Sequence, residues 1–122
     1  MIKITYLCQD RNRMAIRRNK KSFLDKIQEH ARSILEKEDR MYLYGSRARG
    51  DNNDSSDWDI MIITSKTHSE DDSFEKYTYP LVLFGQINRQ DVSVITYSLQ
   101  EWENRKGLPF YGNVMEDRKR II

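Results

Sequence analysis

A chain of 122 residues has the size of one domain, so residues 1–122 are expected to fold as a single unit. Apolar residues make up 38% of it and aromatic residues 11%, enough for a small core and too much for a disordered tail. Its 21 basic and 19 acidic side chains leave a net charge of +2, which marks neither a nucleic-acid wrapper nor an acidic tail.

The basic residues are concentrated at the start. Residues 1–21 carry Lys3, Arg11, Arg13, Arg17, Arg18, Lys20 and Lys21 against Asp10, or 7 − 1 = +6. No aromatic side chain interrupts Arg11 to Lys21 to offer a stacking platform, so this extension reads as a solvated arm before it reads as a nucleic-acid site. A single cysteine, Cys8, excludes an intrachain disulfide and fits a reducing cytoplasm. The longest apolar runs, Ile60 to Ile63 and Leu81 to Phe84, are far short of the roughly 20 residues that span a bilayer, so no membrane insertion is expected.

Regular structure begins at Ser22, which forms a capping-box-like start with Asp25. Phe23, Leu24, Ile27, Ala31, Ile34 and Leu35 then recur at helical spacing, predicting a helix from about Phe23 to Lys37 with one buried stripe. Met41 to Tyr44 reads as a strand ended by Gly45. Asp57 to Thr64 reads as a second strand, with Asp57, Asp59, Met61 and Ile63 on one face and Trp58, Ile60 and Ile62 on the other. Ser65 to Asp72 is polar and reads as a loop, followed by a helix marked by Phe74, Tyr77, Leu81 and Phe84 that Pro80 must kink or begin. Asp91 to Tyr97 reads as a third strand, Leu99 to Lys106 as a helix, Gly107 to Pro109 as a break, and Tyr111 to Arg118 as a last helical segment. This order predicts an α/β (α+β) domain, a short mixed sheet of three to four strands packed with helices.

Chemistry is concentrated in Gly45-Ser46-Arg47-Ala48-Arg49-Gly50 and the stretch that follows, Asp51 to Asp59. A Gly-Ser pair after a strand lets backbone approach a bound group closely while hydroxyl and amides donate to phosphate oxygens. Asp57 and Asp59, two apart on one face, have α-carbons about 7 Å apart, from which carboxylates can converge on metals about 4 Å apart. Oxygen ligands of this kind suit Mg2+ or Mn2+. Asp91 opens another strand on an equivalent face, and three clustered acids call for a divalent cation. Two such ions on a triphosphate polarise its α-phosphorus and neutralise departing pyrophosphate, which is in-line nucleotidyl transfer.

These residues resemble the nucleotidyltransferases of the polymerase-beta-like superfamily. Their pattern is a Gly-Ser after a strand, an Asp-x-Asp beginning the next and a third Asp on a later strand, here Gly45-Ser46, Asp57-x-Asp59 and Asp91. The likeness is greatest to the minimal nucleotidyltransferases, with Gly-Ser-x-Ala-Arg-Gly at Gly45 to Gly50 and Ser-Asp-x-Asp at Ser56 to Asp59, and it extends over roughly residues 22–118. The resemblance implies that Asp57 and Asp59 hold two Mg2+ ions, that Asp91 completes one metal site and helps activate the acceptor hydroxyl, and that Gly45 and Ser46 seat the triphosphate of ATP or another nucleoside triphosphate. Arg47 and Arg49 are carried over as nucleotide contacts, with surface pairing to Asp51 and Asp54 as the alternative. Minimal members are similar to antitoxins paired with a HEPN-type toxin, some of which transfer AMP to a tyrosine of that toxin. Larger relatives add helical domains that grip the acceptor, and a chain of this length leaves no room for one.

The remaining polar residues carry plainer readings. Asp51 and Asp54 are expected to form turns, His30 and His68 to lie at the surface, Cys8 to be a small buried residue, and the tyrosines to serve core and sheet. Rival functions are a non-catalytic antitoxin that masks its partner and a nucleic-acid binder using the basic lead. Transfer to a small molecule or an RNA end has no recognition domain to support it.

Overall fold

The Ser22 hydroxyl accepts from the Asp25 amide at 3.1 Å and the Asp25 carboxylate accepts from the Ser22 amide, so the capping box starts α1 at Phe23–Arg32. The computed structural model describes residues 21–122; residues 1–20, with most of the basic lead and Cys8, lie outside that range. α1 ends five residues before Lys37. Ser33 caps it, its hydroxyl donating to the His30 carbonyl at 2.6 Å, and Ile34 and Leu35 pack on the core from the following turn. Apolar spacing therefore outlasts the helix that it marks.

β1 (Arg40–Tyr44) leads into the short helix α2 (Ser46–Arg49), and β2 spans Trp58–Thr64. The connection expected to be a loop contains a helical turn, α3 (Glu70–Ser73), begun by Ser69, whose hydroxyl accepts from the Asp72 amide. A π-helical turn (Phe74–Thr78) and α4 (Tyr79–Ile87) continue it. The wide turn comes immediately before Pro80, and the Tyr79 amide donates to the Phe74 carbonyl. Proline has no N–H for the carbonyl four residues back, so the helix widens ahead of it instead of breaking. β3 (Val92–Ser98), α5 (Leu99–Glu103), α6 (Pro109–Asp117) and β4 (Lys119–Arg120) complete the order.

The sheet runs β3-β2-β1-β4. β2 and β3 are parallel, with Trp58 opposite Val92 and Asp59 opposite Ser93, while β1 is antiparallel to both β2 and β4. The parallel pair needs the long crossover that α3 and α4 supply. One sheet face, with Met41, Leu43, Ile60, Ile62 and Val92, is buried beneath Ile27 and Ala31 of α1 and Tyr77 and Leu81 of the crossover. The other carries Met61 and Ile63 against Trp102 and Val114, flanked by Tyr42, Tyr44, Ile95, Tyr97 and Tyr111. The side-chain alternation expected of β2 is the observed one. Among the described residues no helix is long and apolar enough to cross a membrane.

Both histidines depart from a plain surface role. His30 is half-buried and stacks on Phe84, ring centroids 4.4 Å apart and 11° from parallel. His68, also half-buried, meets the Tyr77 ring edge-on at 5.6 Å. Beneath it the buried Asp39 accepts from the Tyr77 hydroxyl at 2.6 Å and from the Glu36 amide at 2.9 Å. This acid pins the crossover to the turn before β1.

Candidate active site

The Gly-Ser turn and the first two carboxylates are built against each other. Gly45 has φ of +74°, a left-handed conformation, and a β-carbon placed on it would lie 2.3 Å from the Asp59 Oδ2 atom. Only glycine leaves room for that carboxylate, so the residue type at 45 is set by the position of Asp59. Ser46 opens α2, whose buried Ala48 fastens it to the core.

Asp57 and Asp91 each stand one residue ahead of their strands. Because Trp58 pairs with Val92 in the parallel ladder, the two aspartates are neighbours across it, and the Trp58 amide donates to the Asp91 carbonyl at 2.8 Å. Strand register thus puts Asp57, Asp59 and Asp91 at the same end of the sheet and on the same face. Asp59 is the half-buried one, whereas Asp57 and Asp91 are exposed. Burial first, and then the negative charge of Asp57, raise the Asp59 pKa above its ordinary 3.8, with Arg49 opposing. Among the described residues no group of three or more His, Cys, Asp or Glu side chains is placed so that it could hold a metal ion, so the expected convergence of all three aspartates on one cation site is not formed here. The site is therefore an electrostatically strained pair, Asp57 and Asp59, with Asp91 one strand away. Two repelling carboxylates on a half-buried ledge, all oxygen donors, fit a hard divalent cation.

The arginines face other partners. Arg47 donates from Nε to the Ser56 carbonyl at 3.1 Å and from Nη2 to the carbonyls of Asn53 and Asp54 at 3.3 and 3.4 Å. Its guanidinium also lies over the Trp58 ring, 4.2 Å from the centroid. Arg49 pairs with Asp51 at 3.1 Å and with Asp117 of α6 at 2.7 Å. Asp54 lies in the turn, as expected, which Ser56 N–H to Asn53 O closes at 3.1 Å and the Asn53 Oδ1 supports by accepting from the Ser55 amide and hydroxyl; Asp51 instead pairs with Arg49.

Two groups beside the site were not singled out from the sequence. Tyr44 is the register partner of Asp59, and burial, with the charge of Asp59, pushes its hydroxyl up to about 12. Gln90, next to Asp91, accepts from the Trp58 indole at 2.9 Å. A usable signal existed for the first: an antiparallel pair joined at Gly45 brings the last residue of β1 beside the start of β2.

Comparison with the curated proteins gives no match. A crystal structure described as a toxin-antitoxin with AMP-PNP superposes with a TM-score of 0.58 at 19% identity, over 81% of this chain and 72% of the other. A second, the toxin-antitoxin MntA-HpeT carrying two Asp-to-Glu substitutions, gives 0.55 at 18% identity with the same 81% and 72% coverage. At those identities the likeness is one of fold. Residues 25–106, which contain the Gly-Ser turn and all three aspartates, match the family described as Polymerase beta, Nucleotidyltransferase, and the chain belongs to that family of nucleotidyltransferases.

Proposed function

We propose that this single-domain protein is a magnesium-dependent enzyme that moves AMP, or another nucleoside monophosphate, from the triphosphate to a hydroxyl of a protein partner. In this reading it is the antitoxin of a HEPN-type pair in the cytoplasm. The observation that carries the catalytic half is the Asp59 carboxylate lying against Gly45, since it joins a cation-demanding acid pair to a turn that only a glycine can make. The partner half is supported by the described complexes: one toxin-antitoxin structure holds AMP-PNP, and the aspartates exchanged in the MntA-HpeT mutant stand two positions apart, the spacing of Asp57 and Asp59.

Asp57 and Asp59 would hold the ions, with Asp91 completing one ligand set. Mg2+, when bound, withdraws charge from the triphosphate and lowers the pKa of the attacking hydroxyl. The protein's own part is orientation and proton transfer. Gly45 and Ser46 seat the phosphates from the turn. Asp91, exposed at the strand end, takes the proton of the acceptor hydroxyl at its carboxylate. The acceptor oxygen then bonds to the α-phosphorus as the bond to the bridging oxygen breaks, and pyrophosphate leaves with that electron pair.

The test is transfer of label from α-labelled ATP to the co-expressed partner, followed by mass spectrometry for one added nucleotide. Wild type is expected to label the partner, and Asp59→Asn to lose at least about 100-fold in rate. Undiminished transfer by Asp59→Asn would remove the reading.

A further inference from the structure

The face of the sheet opposite the carboxylates carries a set of contacts that the reaction itself does not use. Trp58, the middle residue of Asp57-x-Asp59, points away from the acids and touches three other segments. Arg47, from the helix that follows the Gly-Ser turn, covers its ring at 4.2 Å and grips the carbonyls of Asn53, Asp54 and Ser56 in the loop before it. The indole Nε1 donates to Gln90 Oε1 at 2.9 Å, and the backbone N–H of Gln90 is itself anchored on the Gly85 carbonyl of α4 at 2.9 Å. Phe23 of α1 packs on the same ring, centroids 5.1 Å apart.

Each acidic residue thus has a neighbour in sequence that belongs to one connected cluster: Ser56 and Trp58 flank Asp57, Trp58 precedes Asp59, and Gln90 precedes Asp91. The Gly45-Ser46 turn joins the cluster through Arg47. We propose that Arg47, Trp58 and Gln90 form a brace behind the candidate site, positioning residues that fix the three carboxylates against one another and against the Gly-Ser turn without touching nucleotide. The inference rests on the proposed reading of those carboxylates as cation ligands. It assigns the first arginine of the Gly-Ser-Arg-Ala-Arg-Gly run to the loop backbone. Groups that orient metal-holding carboxylates in this way typically control cation affinity as strongly as about 10-fold to 100-fold.

Counting free Mn2+ by electron paramagnetic resonance, with the full chain and a non-hydrolysable ATP analogue, reads cation affinity without turnover. Trp58→Phe and Gln90→Met each delete the indole-to-amide bond while keeping bulk. Each is expected to weaken Mn2+ binding about 10-fold, and the double variant no further than about 2-fold beyond either, because both remove the same bond. Arg47→Lys, which keeps the charge but not the fork, should move cation affinity in the same direction and change analogue affinity by less than about 2-fold. Unchanged Mn2+ affinity in Trp58→Phe and Gln90→Met, whatever their melting temperatures, overturns the brace. So does a 10-fold or so loss of analogue affinity in Arg47→Lys at constant Mn2+ affinity, the signature of a direct phosphate contact. If wild type takes up Mn2+ and the variants lose it, yet no label reaches a partner, the brace stands and the transfer reading falls.

Discussion

At the scale of single residues, Asp59 carries opposite consequences for stability and activity. Folding raises its pKa, so the stability linked to its proton is complete below the ordinary value of 3.8 and is lost as pH climbs through the raised folded value. At neutral pH without divalent cations the ionised carboxylate therefore opposes folding. Asp59→Asn is expected to melt higher than wild type at pH 7 in chelator, with the advantage vanishing toward pH 3, while Mg2+ raises the melting temperature of wild type alone. Calorimetry across that range checks the sign; an Asn variant less stable at pH 7 would contradict it.

Two glycines with positive φ provide a comparison. Gly45 and Gly50 lie at +74° and +88°, but a β-carbon meets the Asp59 carboxylate only at position 45, with nothing within 4 Å at 50. Gly50→Ala should cost about 1–2 kcal/mol in urea unfolding, the strain of a left-handed alanine, and leave transfer intact. Gly45, with ψ of −157°, lies in a region that only glycine adopts readily, so Gly45→Ala should incur more strain than that and also displace the carboxylate, reducing transfer by at least about 100-fold. Equal activity of the two variants would separate the turn from the chemistry.

At the scale of elements, the C-terminal strand shows how much a short segment can hold. The Met41 amide donates to the Ile122 carbonyl at 3.1 Å, the Ile121 amide to the Met41 carbonyl at 2.9 Å, and the Gln28 side chain to the Ile121 carbonyl at 2.8 Å. Ile121 and Ile122 also pack on the helix-covered face of the sheet. Removing residues 119–122 is expected to cost about 3 kcal/mol or more, from lost hydrogen bonds and two apolar side chains, read as a lower urea midpoint. An unchanged midpoint would mean that β1 does not need this flank. Nothing in Lys119-Arg120, two exposed residues with no alternation to follow, distinguished that strand beforehand.

The elements that were legible had a strong local pattern or a cap. β2 and β3 begin within one residue of their expected starts because carboxylates give way abruptly to alternating apolar residues. α1 begins where its capping box says, yet stops early, since Ile34 and Leu35 keep contact with the core after the backbone has turned. The helical turn at Glu70 was hidden by acidity: Glu70, Asp71 and Asp72 look like a solvated loop unless Ser69 is read as its cap. The three aspartates and Gly45 stand out in the sequence because they sit at strand ends, where a change from polar to apolar residues or a glycine after a strand is visible locally. The roles of Arg47, Trp58 and Gln90 depend on the contacts that Trp58 makes across 11 positions to Arg47, 32 to Gln90 and 35 to Phe23, which no local pattern displays.

At the scale of the molecule, one sheet divides its labour between two faces. α1 and the crossover bury one face, and the braced back of the Asp-x-Asp strand lies there. The other holds the aromatic cluster of Trp102 and Tyr111, stacked at 4.7 Å, with the carboxylates at its end. Arg49 ties the two sides together through Asp117 of α6, a solvent-screened pair that adds little to stability. Arg49→Ala should accordingly leave the urea midpoint nearly unchanged while raising the Asp59 pKa further, because a cation opposing that rise is gone. Carbon-detected NMR titration of the Asp59 carboxyl would show the upward shift, and a downward shift would contradict the assigned electrostatics.

The most direct test of the whole account is a crystal of the chain grown with Mn2+ and a non-hydrolysable nucleoside triphosphate, analysed for anomalous scattering. Density for manganese bridging Asp57 and Asp59, beside phosphates resting on Gly45 and Ser46, is the predicted result. Nucleotide held elsewhere, with no manganese on those two carboxylates, would contradict it.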